Sequence, residues 1–140
     1  MIRLLVLDTS ILVAAERQSL PISAITNPEP GASLAMSVIT VAELLQGQYR
    51  ARTERQRRSR AQFTLEVLAR LTILPVDLPV ARELARIWAE LAGRGEIIGP
   101  YDLIIAATAL AHQATLATLN FKEFQRVGGL DVRAVRAHLT

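Results

Sequence analysis

The sequence predicts an α/β fold with a mostly parallel central sheet. Three observations predict it. Short apolar runs of strand length alternate with helix-length amphipathic stretches along the whole chain. The 140 residues are 51% hydrophobic and 21% charged, a globular composition long enough for one core. No internal repeat, low-complexity tract or linker interrupts the pattern, so a single domain over residues 1–140 is expected.

Each element can be justified in order. Residues 3–8 form a first strand, an apolar run that ends on Asp8. Ser10 to Arg17 has helical spacing. Residues 18–33 contain Pro21, Pro28, Pro30 and Gly31 and read as a loop with at most a turn of helix. Leu34 to Val38 is a second strand. The stretch TVAELLQG then opens a helix at Thr40, with Thr40 and Glu43 at capping-box spacing and Gly47 placed to end or kink it. Residues 50–70 read as a long helix, charged at first and then packing through Phe63, Leu65, Val67, Leu68 and Leu71. Thr72 to Val76 is a third strand. Pro79 is placed to open the next helix, whose stripe is Val80, Leu84, Ile87, Trp88 and Leu91. Gly93, Gly95 and Gly99 break that helix. Pro100 starts PYDLIIAATALAHQ, apolar nearly all round and therefore central. Thr115 to Leu119 is a fourth strand, residues 120–129 a loop or short helix, and Leu130 to Val132 a marginal fifth strand.

Composition excludes several chemistries. With no cysteine there is no disulfide, thiolate nucleophile, iron–sulfur cluster or zinc ribbon. Two histidines, His112 and His138, argue against a histidine-rich metal site. The net charge is +3 and Lys122 is the only lysine, so the basic residues are almost all arginine. The arginine fork matches two phosphate oxygens at once, which permits a nucleic-acid partner. Asp8 interrupts what would otherwise pass for a signal peptide in MIRLLVLDTSILVAA. The apolar stretch from Leu103 to Leu119 is short for a membrane span and is broken by His112 and Gln113. The expectation is a soluble cytoplasmic protein with no membrane segment.

Taken singly, each notable acid has a structural explanation. Asp8 can cap the following helix, Glu43 can complete the capping box with Thr40, and Asp102 lies in a helix's first turn, where negative charge is favoured. Taken together they share a place. Asp8 follows strand one, Glu43 follows strand two, Asn120 follows strand four, and Asp102 opens the most buried helix. The carboxyl ends of parallel strands lie along one edge, where α/β proteins bind ligands. Carboxylates crowded there repel, and either their pKa values rise or a cation sits among them. Oxygen donors without sulfur or imidazole favour Mg²⁺ or Mn²⁺, ions suited to phosphoryl chemistry.

These residues carry a resemblance. LVLDTSILVA, SVITVAELLQG, IIGPYDLIIAATALAHQATLATLNFKEF and the closing GGLDV resemble, in order and spacing, the motifs of the PIN-domain ribonucleases, and most closely the VapC-type toxins of toxin–antitoxin pairs. The resemblance spans almost the whole chain. It implies a three-layer α/β/α sandwich around a small sheet of four to five strands, with an acidic pocket for Mg²⁺ or Mn²⁺. Asp8 matches the acid of the D-T-[NS] motif, Glu43 that of T-x-x-E-L, and Asp102 that of D-x-x-I-A-A. These three are the expected metal ligands. The final motif, T-x-[ND]-x-x-[DEH]-F, appears as Thr118, Asn120, Glu123 and Phe124. Many relatives carry aspartate where this chain has Asn120, so Asn120 and Glu123 are both candidates for the fourth corner. Thr9 and Ser10 are expected to support or cap, and Thr118 to orient a carboxylate.

The implied function is a metal-dependent endoribonuclease that leaves a 5′-phosphate and a 3′-hydroxyl. The implied partners are an RNA substrate, a VapB-like antitoxin and a second copy of the chain, in a homodimer or a larger toxin–antitoxin assembly. A non-catalytic PIN-fold module for RNA binding or assembly is the alternative, given room by Asn120. A phosphatase or receiver-like reading with Asp8 as nucleophile is weak: Ser10 stands where the former wants a second aspartate, and Lys122 is the only lysine for the latter. The basic stretch YRARTERQRRSR is either a solvated helix face or a phosphate-contacting strip, and in relatives such helices often meet the antitoxin or second subunit. Trp88 is expected in the core or a dimer interface, and both histidines on the surface.

Overall fold

The computed structural model of the chain describes residues 3–18 and 32–135. Five strands form one sheet: β1 (Arg3–Leu7), β2 (Ala32–Ser37), β3 (Thr72–Leu74), β4 (Thr115–Thr118) and β5 (Asp131–Ala134). Their order is β3-β2-β1-β4-β5, and every described pairing is parallel. The chain therefore builds outward from β1 to β3, then crosses back to lay β4 against the other side of β1. The strand order reverses between β1 and β4, and such a switch point opens a crevice at the carboxyl edge.

The helices are α1 (Thr9–Arg17), α2 (Val38–Tyr49), α3 (Glu54–Arg70), α4 (Leu78–Gly93), α5 (Pro100–Ala111) and the single turn α6 (Phe121–Phe124). Side chains alternate across each strand, so the central strands β1, β2 and β4 feed two cores. Val6, Ala35 and Leu116 join Val80, Ile87 and Leu91 of α4, Ile105 and Ala106 of α5, and Phe124 of α6. Leu5, Leu7, Met36 and Ala117 join Ile11 and Leu12 of α1, Leu44 of α2, and Phe63 and Val67 of α3. Helices thus cover both faces, the sandwich expected.

Three local expectations need correction. The helix expected to begin at Thr40 begins at Val38, and its cap is Ser37, whose hydroxyl accepts from the Ile39 N–H at 3.1 Å. Thr40 is inside the helix and fully buried, so Thr40 and Glu43 form no capping box, and Gly47 lies within the helix. Leu65 is 67% exposed, because α3 turns Phe63, Thr64 and Val67 inward, with Leu68 and the following Leu71, and leaves Leu65 on the opposite side. Trp88 is 62% exposed rather than core: Ile87 takes the buried position, and the next residue, ~100° further round the helix, falls off the stripe. His112 is on the surface as expected. His138 and residues 19–31 of the loop expected at 18–33 lie outside the described residues, and β2 already begins at Ala32, inside that expected loop.

Candidate active site

The carboxyl edge around the β1–β4 switch point gathers the acids. Asp8 directly follows β1, and its N–H still donates to the Ala117 carbonyl of β4 at 2.9 Å. Its side chain stands at the N-cap position of α1 yet makes no capping hydrogen bond. Instead the hydroxyls of Ser10 and Thr118 both donate to Asp8 Oδ2, at 2.6 and 2.7 Å. The Leu119 N–H donates to the Ser10 oxygen at 3.3 Å, and the Asn120 N–H to the Thr118 oxygen at 2.9 Å. The backbone after β4 therefore holds both hydroxyls in their donating orientation. Asp8 is 1% exposed, and Oδ1 receives no hydrogen bond from the described residues. The capping reading gives way to a carboxylate oriented by its neighbours.

Glu43, on α2, is held by a second hydroxyl pair. The Thr9 hydroxyl lies 2.7 Å from Glu43 Oε1 and 3.0 Å from the Thr40 hydroxyl. Thr9 has one proton to give. If Glu43, the acceptor-only partner, takes it, Thr40 donates to Thr9. The chain Thr40 to Thr9 to Glu43 ties the first turn of α1 to α2. Its sequence signal was a threonine next to Asp8 and another three residues before Glu43, though the pairing across helices could not be read from either motif alone.

Asp102 lies in the first turn of α5 and interacts with the other acids. Its carboxyl is pushed up to about 7, first by burial and then by the charge of Asp8; protonated, it donates a hydrogen bond to Glu123, and the charges of Glu123 and Glu43 add to the effect. Burial also raises Glu43, with the Asp8 charge adding and the Thr9 hydrogen bond opposing. No arginine or lysine among the described residues pairs with Asp8, Glu43, Asp102 or Glu123.

The two candidates for the fourth corner separate clearly. Asn120 is exposed, and its amide side chain has no hydrogen bond among the described residues. Its backbone caps α6, with its carbonyl accepting from the Glu123 and Phe124 N–H groups at 3.2 and 3.3 Å. That turn aims Glu123 at Asp102 while Phe124 is fully buried beneath. The structure thus brings together Asp8, Glu43, Asp102 and Glu123, and leaves the Asn120 side chain outside.

The donor set is all oxygen, which suits a hard divalent cation such as Mg²⁺. The unpaired mutual repulsion is what such an ion relieves. Among the described residues no three Asp, Glu or His side chains already close into a coordination sphere.

Comparison with known proteins gives a consistent result. The family model of the PIN domain matches residues 5–130. Over 131 residues the chain is 36% identical to "Ribonuclease VapC1" of Rickettsia felis, covering 94% of this chain and 96% of the relative. Among solved structures, VapBC2 from Rickettsia felis bound to a DNA fragment from their promoter superposes with a TM-score of 0.82 at 32% identity, covering 95% of this chain and 99% of the other. VapBC-5 from Mycobacterium tuberculosis, a member of the VapBC family of toxin-antitoxin systems, gives 0.73 at 31% identity, covering 96% and 98%.

Proposed function

The chain belongs to the PIN-domain family, and from that membership we propose that it is a divalent-metal-dependent endoribonuclease, the toxin of a VapC-like toxin–antitoxin pair. The observation that carries the reading is the set of four acids at the switch point, with Asp102 pushed up to about 7 and no cationic side chain among the described residues to balance them. A relative named as a ribonuclease and solved relatives from toxin–antitoxin systems support it.

Asp8, Asp102 and Glu43 would hold Mg²⁺ or Mn²⁺, with Glu123 as the fourth carboxylate. The chemistry such an ion supplies is neutralisation of the scissile phosphodiester and activation of water. This chain's own residues do the positioning. Ser10 and Thr118 fix the Asp8 carboxylate through Oδ2, and Oδ1 would be the oxygen left to hold an ion. Thr9, braced by Thr40, fixes Glu43. Glu123 accepts the hydrogen bond that protonated Asp102 donates and so keeps the two carboxyl groups together. A cognate antitoxin is the expected partner, and a second copy of the chain a further one. Among the described residues no helix is long and apolar enough to cross a membrane.

The test is RNA cleavage with Mg²⁺ or Mn²⁺, with end-sequencing of the products. The expected outcome is 5′-phosphate and 3′-hydroxyl ends, lost with EDTA and in Asp8→Asn. Cleavage that persists in Asp8→Asn would refute the site, and 2′,3′-cyclic phosphate ends would refute attack by water. The non-catalytic alternative predicts RNA binding without cleavage at any metal concentration.

A further inference from the structure

A cleft of about 910 Å³ runs between α1, α2 and α3. At one end it is lined by Thr9 and Glu43, so it opens from the acidic site. At the other it is lined by Arg17, Arg50, Arg52 and Arg60. Helix geometry sets the length. Glu43 and Arg50 are seven positions apart on one helix and its C-cap, ~10 Å along the axis. Arg60 braces the far end: it donates to the Gly47 carbonyl at 2.7 Å and lies 3.7 Å from Glu16.

The basic run Tyr49 to Arg60 does not act as one strip. Arg57 and Arg58 are engaged by Glu54, at 2.7 and 3.5 Å, and neither lines the cleft. Arg50 and Arg52 do line it, and neither guanidinium has an ion pair or hydrogen bond among the described residues. The Arg52 N–H donates to Gln56 Oε1 at 2.9 Å, which fixes the turn that carries both. Two unspent guanidinium forks therefore face a groove whose other end is the acidic site.

We propose that this cleft is a phosphate track for single-stranded RNA, in which Arg50 and Arg52 hold backbone phosphates a few nucleotides from the scissile bond. The proposal rests on the ribonuclease reading and adds where the strand runs. Arginine forks match phosphate oxygens. The far end is lined by four arginines and one carboxylate, Glu16, which Arg60 faces, so it keeps net positive charge for flanking phosphates while the scissile phosphate lies toward the acids at the other end.

The experiment is binding of a labelled single-stranded RNA oligonucleotide in EDTA, followed by anisotropy against salt, beside cleavage of the same oligonucleotide in Mg²⁺. Each phosphate contact contributes a slope of about 0.7 in log affinity against log salt for single strands. Removing two contacts in the double variant Arg50→Ala/Arg52→Ala should flatten the slope by about 1.4. Between about 50 and 200 mM salt the wild type then loses ~sevenfold more affinity than the variant. The double variant Arg57→Ala/Arg58→Ala removes the same charge and should keep the wild-type slope. Equal flattening in both doubles overturns the track, since only net charge would then matter. An unchanged slope in Arg50→Ala/Arg52→Ala, with the wild type still cleaving, overturns the track and leaves the ribonuclease reading standing. Loss of binding to the cognate antitoxin alone, with RNA binding intact, assigns the cleft to a protein segment and also overturns it. A wild type that neither binds nor cleaves RNA overturns both.

Discussion

Two groups of acids in this molecule are handled in opposite ways. On the outer face of α4, Glu83 and Glu90 share Arg86, which reaches Glu83 Oε2 at 2.8 Å and Glu90 Oε1 at 3.2 Å. At the switch point, Asp8, Glu43, Asp102 and Glu123 sit together with hydroxyls for company and no arginine or lysine paired to them among the described residues. The arginines that could have served, Arg50 and Arg52, stand at the far end of the cleft. The first arrangement is self-contained: one guanidinium offsets part of the charge of two partly exposed carboxylates, and each pair contributes a few tenths of a kcal/mol. The second leaves repulsion unrelieved in a half-buried place, which lowers stability. A fold keeps such an arrangement where an outside charge completes it, and that is the physical content of reading the edge as a metal site.

The largest effect should come from removing one of those acids. On the proposed function, Asp102→Asn would take a ligand from an ion whose charge stabilisation is worth several kcal/mol, so RNA cleavage should fall by about 10³-fold. The same substitution removes a repelling charge, so the metal-free protein should melt at a higher temperature than the wild type. Activity and stability moving in opposite directions is the signature of an uncompensated site. A metal-free Asp102→Asn protein that melts lower would break the contrast with α4. One step smaller is the loss of a hydroxyl that aims an acid. Thr118→Val removes one of the two donors to Asp8 Oδ2 and should cost 10–100-fold in cleavage or metal affinity, by the scale for partners that orient ligands. Thr118→Ser keeps the donor and should restore most of it. Equal losses in both variants would point to the lost methyl contacts instead.

Acidity should sharpen the comparison further. The Asp102 pKa rises from 3.8 to about 7 on folding, and that of Glu43 rises as well. Between those values the folded chain holds a proton that the unfolded chain has released. This contribution to stability is therefore complete below about pH 4 and is lost as the pH climbs through 7. Denaturant midpoints of the metal-free wild type and of Asp102→Asn should lie close together below about pH 4, separate as the pH rises toward 7 and stay apart above it, with the wild type the weaker. A constant difference across the range would show that Asp102 titrates alike in both states. Added Mn²⁺ should close the gap on the alkaline side, since an ion bound only to the folded state stabilises it by mass action.

How much of this could be read from the chain follows from what sets each feature. The order of strands and helices was legible because it rests on short-range periodicity, and the acids converged because parallel strands present their carboxyl ends together. The cap of α2 was misplaced because Ser37 and Thr40 both have the chemistry of a cap, and only the end of β2 decides between them. Leu65, and the core half of the expectation for Trp88, were misjudged because a helical stripe fixes a direction while its width depends on neighbours the sequence does not locate. The fourth corner was open for the same kind of reason. Asn120 and Glu123 are three residues apart, and only the turn of α6 reveals that the asparagine spends its backbone on capping while the glutamate reaches Asp102. The division of the basic run into Arg50 and Arg52 against Arg57 and Arg58 likewise appears only when two helices and their junction are placed around a cleft.

The smallest expected effect tests the other side of the comparison. If α4's acids are self-contained, removing one should matter little and should not depend on metal. Glu83→Gln leaves Arg86 with Glu90, four residues on, so an exposed pair at i,i+3 is lost and one at i,i+4 remains. Such pairs contribute about 0.2–0.5 kcal/mol, a shift of a degree or two in melting temperature for a chain of this size. The sign is opposite to that of Asp102→Asn, because here an attraction is removed rather than a repulsion. High salt should shrink the shift further, since both partners are solvent-facing. Mn²⁺ should leave it unchanged. A Glu83→Gln shift that grows with Mn²⁺ would mean that α4 and the switch-point acids are coupled, and the two groups could then no longer be treated as separate.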